Sequence, residues 1–152
     1  MKSKKILTII ILALLTLTFT GCSKTVENSQ HMTGRIFTNK YMEDLDGITS
    51  VDYEEYWLSE KILFFEMSGK DEGYRGIIYI SEEKAQELLE DYDDWSLDQT
   101  GLPKMNEVDT KPISGSDWYY SNDFASEYST LLQIWDLRFN GKDAIIFDVH
   151  AF

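Results

Sequence analysis

The feature that most constrains this chain is Asn140-Gly141, a dipeptide set between two runs in which apolar residues recur at alternate positions. Both residues tolerate the positive φ that a type I′ turn requires, so the end of the chain is expected to fold as a two-residue β-hairpin. Pairing across that turn would set Arg138 opposite Asp143, Leu137 opposite Ala144, Trp135 opposite Ile146 and Ile134 opposite Phe147, matching opposite charges and apolar partners. Apolar residues fall on both faces of these strands, the pattern of strands near the middle of a sheet.

Three earlier runs also read as strands. Residues 50–58 place Val51, Tyr53 and Trp57 on one face and Asp52 and Glu54 on the other, which is the period of a half-buried strand. Residues 61–67 read as a more buried strand, followed by a hairpin loop over Ser68 to Gly73 and a further strand from Tyr74 to Ile80. Ser81 then suits a helix N-cap, with Glu82 and Glu83 complementing the helix dipole and Ala85, Leu88, Leu89 and Tyr92 recurring at helical spacing, so a helix is expected over about 82–92. Residues 96–117 lack periodicity and hold both prolines, Pro103 and Pro112; either short strands hide around Glu107 to Thr110 or the segment is a working loop. Residues 123–132 fit a helical face and a strand face alike. The expected architecture is α+β, an antiparallel sheet of about five strands with one or two helices packed on one face.

The N-terminus carries a different signal. Lys2, Lys4 and Lys5 precede an uncharged run from Ile6 to Phe19, and Phe19-Thr20-Gly21-Cys22 closes the segment. This is the layout of a secretory signal. Its fourteen-residue apolar run would make about 21 Å of helix at about 1.5 Å per residue, short of the roughly 30 Å of a membrane core. The closing tetrapeptide resembles the lipobox of bacterial lipoproteins. That resemblance, confined to residues 1–22, implies that residues 1–21 are removed and that the Cys22 thiol receives a diacylglycerol, holding the protein to a membrane on its outer side. Two or three acyl chains give firm attachment at about 0.8 kcal/mol per buried CH₂. Ser23 to Thr33 is polar and reads as the rest of a flexible tether over 22–33, leaving 34–152 as one acidic globular domain.

Charge and composition narrow the function. Loss of the three signal lysines leaves 11 basic side chains against 27 acidic ones, a formal charge of −16, which disfavours nucleic acid and disfavours lying flat on anionic lipid. Cys22 is the only cysteine, so no intramolecular disulfide forms and the core alone holds the fold. The two histidines, His31 in the tether and His150 expected opposite Leu131, offer no nucleophile–base pair. No Cys/His set for zinc exists, and Asp91, Asp93, Asp94 and Asp98 lack the glycine and closing glutamate of an EF-hand loop. No cofactor or metal is implied.

The remaining signal is aromatic. Trp95 stands before the long irregular stretch and Trp118, Tyr119 and Tyr120 after it; either these rings close the core beneath the loop, or some reach the surface and anchor a partner. The reading that follows is a membrane-anchored lipoprotein whose domain binds an envelope protein or glycan without catalysis. The alternative is a carboxylate-dependent hydrolase of envelope glycans, which would require a cleft with two facing acids.

Overall fold

The computed structural model describes residues 24–62 and 65–151, with side chains over 27–59 and 73–150, so the signal segment and Cys22 lie outside the described residues. The chain is α+β. Seven strands form one antiparallel sheet: β1 Lys24–Thr33, β2 Ile48–Ile62, β3 Phe65–Ile80, β4 Ser96–Asp98, β5 Trp118–Tyr120, β6 Leu132–Phe139 and β7 Ala144–Ala151, in the spatial order β1-β2-β3-β7-β6-β5-β4. Among the described residues three helices accompany it, α1 Ile36–Tyr41, α2 Glu82–Asp91 and α3 Asn122–Glu127, with a 3₁₀ turn at Lys111–Ile113. The sheet is thus two strands wider, and the helices more numerous, than the periodicity suggests.

The differences have physical causes. Residues 24–33, expected as tether, form the edge strand β1, paired with β2 from Lys24↔Lys61 to Thr33↔Asp52. An edge strand gains its place through main-chain hydrogen bonds and needs little apolar surface, so a polar sequence conceals it. The short strands β4 and β5, at three residues each, cannot display a period. The stretch Ser68 to Gly73, expected as a hairpin loop, is part of β3, and Ile62↔Phe65 closes the β2–β3 hairpin instead. No strand lies at 107–110. The ambiguous 123–132 segment resolves into α3 and the start of β6.

The terminal hairpin turns where expected but in a different register. Phe139 pairs with Ile145, Arg138 with Ile146 and Leu137 with Phe147, leaving a four-residue connection over 140–143. The Asn140 carboxamide explains the longer turn: its Oδ1 accepts the amides of Lys142, Asp143 and Ala144, while Gly141 takes φ 73°. Past Ile134↔Val149 the next pair is Asp136↔Asp148, so Trp135 is the extra residue of a β-bulge rather than the partner of Ile146.

Both faces of the sheet are covered. On one, Phe37 of α1, Ala85 and Leu88 of α2, and Phe124 and Ala125 of α3 pack on Val51, Tyr53, Ile78, Leu137, Phe139, Ile145, Phe147 and Val149. Ser81 caps α2 by accepting the Lys84 amide, as the sequence suggests, and Ser121 caps α3 by accepting that of Phe124. On the other face, Ile77, Ala144, Ile146 and Trp118 are buried with Val108 and Ile113, and Leu102 and Met105 pack against them, so the irregular segment after β4 is a cover. The four residues Ala144 to Phe147 are wholly buried, as the central position of β7 demands.

Candidate functional site

The four aromatic residues singled out by sequence do not share a surface. Trp95 packs on the helix-side core, its ring 5.6 Å from those of Phe124 and Phe139, and its Nε1–H donates to the Leu88 carbonyl. Trp118 is 5% exposed and belongs to the core on the opposite face. Tyr120 packs against the helix-side core. Tyr119, half-buried, lines a polar cleft of about 240 Å³ with Ser116, Asp117, Asn140 and Lys142.

A different ring is presented to solvent. Trp135 is 59% exposed, the one aromatic among the strongly exposed large apolar side chains of the described residues. The β-bulge lifts it out of the strand's alternation, and it stacks on the His150 imidazole with centroids 4.0 Å apart and planes 30° from parallel. Sequence reasoning missed both residues, because the expected register sent Trp135 inward against Ile146 and set His150 opposite Leu131. The observed register sets His150 opposite Gln133 on β6 and Gly73 on β3.

Beneath the stack lies a polar bed. The buried Tyr56 hydroxyl donates to Asp148 Oδ1 at 2.7 Å and stands 2.9 Å from His150 Nε2. A phenol has one proton; with that proton given to the Asp148 carboxylate, its oxygen accepts Nε2–H from His150, which fixes the imidazole orientation under Trp135. Gly73 makes room for this arrangement, since a Cβ there would fall 2.4 Å from Tyr56 Cζ. The Arg75 guanidinium lies 4.3 Å from the Tyr56 ring centroid as a cation–π partner. Burial pushes the Asp148 carboxyl above its ordinary range, against the opposing pull of the Tyr56 hydrogen bond and Arg75. Burial also raises Asp136, its cross-strand neighbour, although Arg138 Nε donates to it at 2.6 Å. The Tyr56 hydroxyl is held firmly protonated, by burial first and then by Asp148.

Two ionic clasps fasten the covering loop beside this bed. Glu54, 0% exposed, accepts Arg75 Nε–H at 2.5 Å and the amides of Asn106 and Glu107 at 2.8 and 2.5 Å. Arg75 also reaches Glu27 at 2.6 Å, and the hydrogen bond from Arg75 is the main reason the Glu27 carboxyl sits below its usual range. Arg138 is buried and donates to the Thr100 carbonyl and hydroxyl and to the Gly101 carbonyl, each at 3.0 Å.

Among the described residues no three His, Cys, Asp or Glu side chains are grouped to hold a metal ion. Of the acids near the end of α2, Asp94 accepts the Asn122 and Asp123 amides and the Ser121 hydroxyl at the start of α3, and Asp98 accepts the Thr100 amide. His31, expected as a solvated linker residue, contacts Asp52 across the β1–β2 pair at 2.5 Å. No described helix is long and apolar enough to cross a membrane. No protein-family model, curated protein or solved structure matches the chain.

Proposed function

We propose that this chain is a lipoprotein, anchored through Cys22 and facing outside the cytoplasm, whose domain binds an envelope glycan without catalysis. The observation that carries the binding site is the exposed Trp135 stacked on an oriented His150. A rigid, solvent-facing indole loses little conformational entropy when a pyranose ring settles on it, and the exposed Gln133, paired with His150, can exchange hydrogen bonds with sugar hydroxyls. The acidic domain favours neutral or amino-bearing sugars over phosphate-rich polymers, which its charge repels.

One observation favours the hydrolase alternative: Asp136 and Asp148 face each other across β6 and β7, and burial raises both. Against it, each carboxylate already accepts hydrogen bonds from internal donors, Asp136 from Arg138 and Asp148 from Tyr56. Titration of purified protein with soluble glycan-strand fragments, followed by tryptophan fluorescence, separates the readings. Binding quenches and blue-shifts the Trp135 emission, and Trp135→Ala abolishes it without altering the melting temperature. Turnover of the fragments that disappears in Asp148→Asn would overturn the binding reading, as would capture of an envelope protein, but no glycan, through Trp135.

A further inference from the structure

We infer that Asn140-Gly141 is a modification site gated by folding: the native turn withholds the Asn140 carboxamide from reaction, and a chain that has unfolded converts it to aspartyl and isoaspartyl forms. The step needs only water. The Gly141 main-chain nitrogen bonds to Asn140 Cγ, the Cγ–Nδ2 bond breaks, and ammonia leaves with the proton that the Gly141 nitrogen gives up. Water then adds to either carbonyl of the five-membered imide and reopens it, with a carboxylate in place of the carboxamide. A side chain on the following residue crowds the attacking nitrogen, and glycine has none. Asn140 is followed by Gly141, whereas the other asparagines precede Ser29, Lys40, Glu107 and Asp123. The fold does not crowd that glycine either, since a Cβ there would meet nothing nearer than the Tyr119 ring at 3.6 Å. Protection in the native state therefore comes from the bonds of the carboxamide itself.

Both polar atoms of that group are engaged. Oδ1 accepts the amides of Lys142, Asp143 and Ala144 at 3.0, 3.0 and 2.9 Å, and Nδ2 donates to Asp143 Oδ1 at 2.9 Å. The Asn140 amide donates to the Ala144 carbonyl at 3.0 Å, so main chain and side chain are fastened to the same short segment, and the residue is 8% exposed. To close the ring, Cγ has to turn out of this cradle toward the Gly141 nitrogen and become tetrahedral. Each neutral hydrogen bond is worth a factor of about five, so giving up two of the four slows ring closure about twenty-fivefold. The product does not fit the turn. It sets an oxygen where Nδ2 stood, 2.9 Å from Asp143 Oδ1, so a donor is lost and two carboxylates meet. The isoaspartyl form also adds a methylene to the main chain directly after the Phe139↔Ile145 pair. Because this turn sets the register of β6 on β7, a chain that reacts while unfolded carries a lasting mark that opposes its return to the native sheet.

The full-length protein is held folded and, in parallel, unfolded in guanidinium chloride, in the same mildly alkaline buffer at the same temperature. Trypsin cuts after Arg138 and Lys142, so the peptide Phe139–Lys142 reports the site, and chromatography with mass spectrometry counts its aspartyl and isoaspartyl forms. The folded protein is expected to convert at least tenfold more slowly than the unfolded one. Asp143→Ala removes the acceptor of Nδ2 and leaves the three amides in place; its folded rate is expected to rise about fivefold, with its unfolded rate equal to wild type. Equal rates in folded and unfolded wild-type protein would overturn the inference, whether or not the variant folds. So would an Asp143→Ala protein with the native circular dichroism spectrum that converts no faster than folded wild type.

Discussion

Glu54→Gln tests whether the loop covering the second sheet face is held by a buried charge. The substitution keeps the side-chain volume and one carbonyl oxygen, which can still accept the Asn106 and Glu107 amides. It turns an NH₂ toward Arg75 Nε–H and removes the negative charge from a pair whose side chains are 6% and 0% exposed. Breaking a buried ion pair from one side costs about 3–5 kcal/mol. Arg75 retains Glu27, so the lower end, about 3 kcal/mol, is expected. Glu27→Gln is the control: its side chain is 33% exposed and its oxygen can still accept from Arg75, so the loss should be about 0.2–1 kcal/mol. Urea denaturation measures both, and hydrogen exchange localises the effect. If the clasp opens locally, the Asn106 and Glu107 amides exchange roughly a hundredfold faster in Glu54→Gln, since each 1.4 kcal/mol is a factor of ten. Equal destabilisation by the two substitutions, or unchanged protection at 106 and 107, would refute the assignment of Glu54 as the buried anchor of the loop.

Gly141→Val forces a β-branched residue to φ near 73° and should cost about 1–3 kcal/mol in a thermal melt. Gly73→Ala drives a methyl into the Tyr56 ring; it should cost about 1–3 kcal/mol and weaken the proposed glycan binding, because the Tyr56 hydroxyl loses its place between Asp148 and His150. Asp148 is raised by burial, so its contribution to stability is fully present below the ordinary carboxylate value of 3.8 and is lost as pH rises through its folded value. Asp148→Asn, which can still accept from Tyr56, should therefore flatten the decline in melting temperature above pH 4 and melt no lower than wild type at pH 7.

The elements legible in sequence were those whose residues alternate or recur against a core. Val51 and Tyr53 lie on the helix-side face as their period indicates, and Ser81 caps α2. Strand β1 was hidden because its gain is main-chain pairing, and α1 and α3 because six residues make too few turns to show a stripe. The candidate site was hidden for a sharper reason. A register three residues away from the simplest turn moves Trp135 from the core to the surface, and that register depends on one asparagine accepting three amides. Trp118 misled in the opposite sense: a ring beside a long loop was available as an anchor, but the loop folds back and buries it.

Strand β1 changes the reach of the domain. Eleven flexible residues would let it wander with a root-mean-square excursion of about 18 Å and sample a thick layer of the envelope. Ten residues hydrogen-bonded to β2 remove that freedom. Under the proposed anchoring at Cys22, the Trp135 stack is then carried at a set altitude above the bilayer. A partner whose recognised unit passes at that altitude meets the indole at a high effective concentration and is retained even when its intrinsic affinity is weak, while one a few nanometres further out is never encountered. Selectivity of this kind would come from distance to the bilayer, and inserting residues between Cys22 and Lys24 would be the way to retune it.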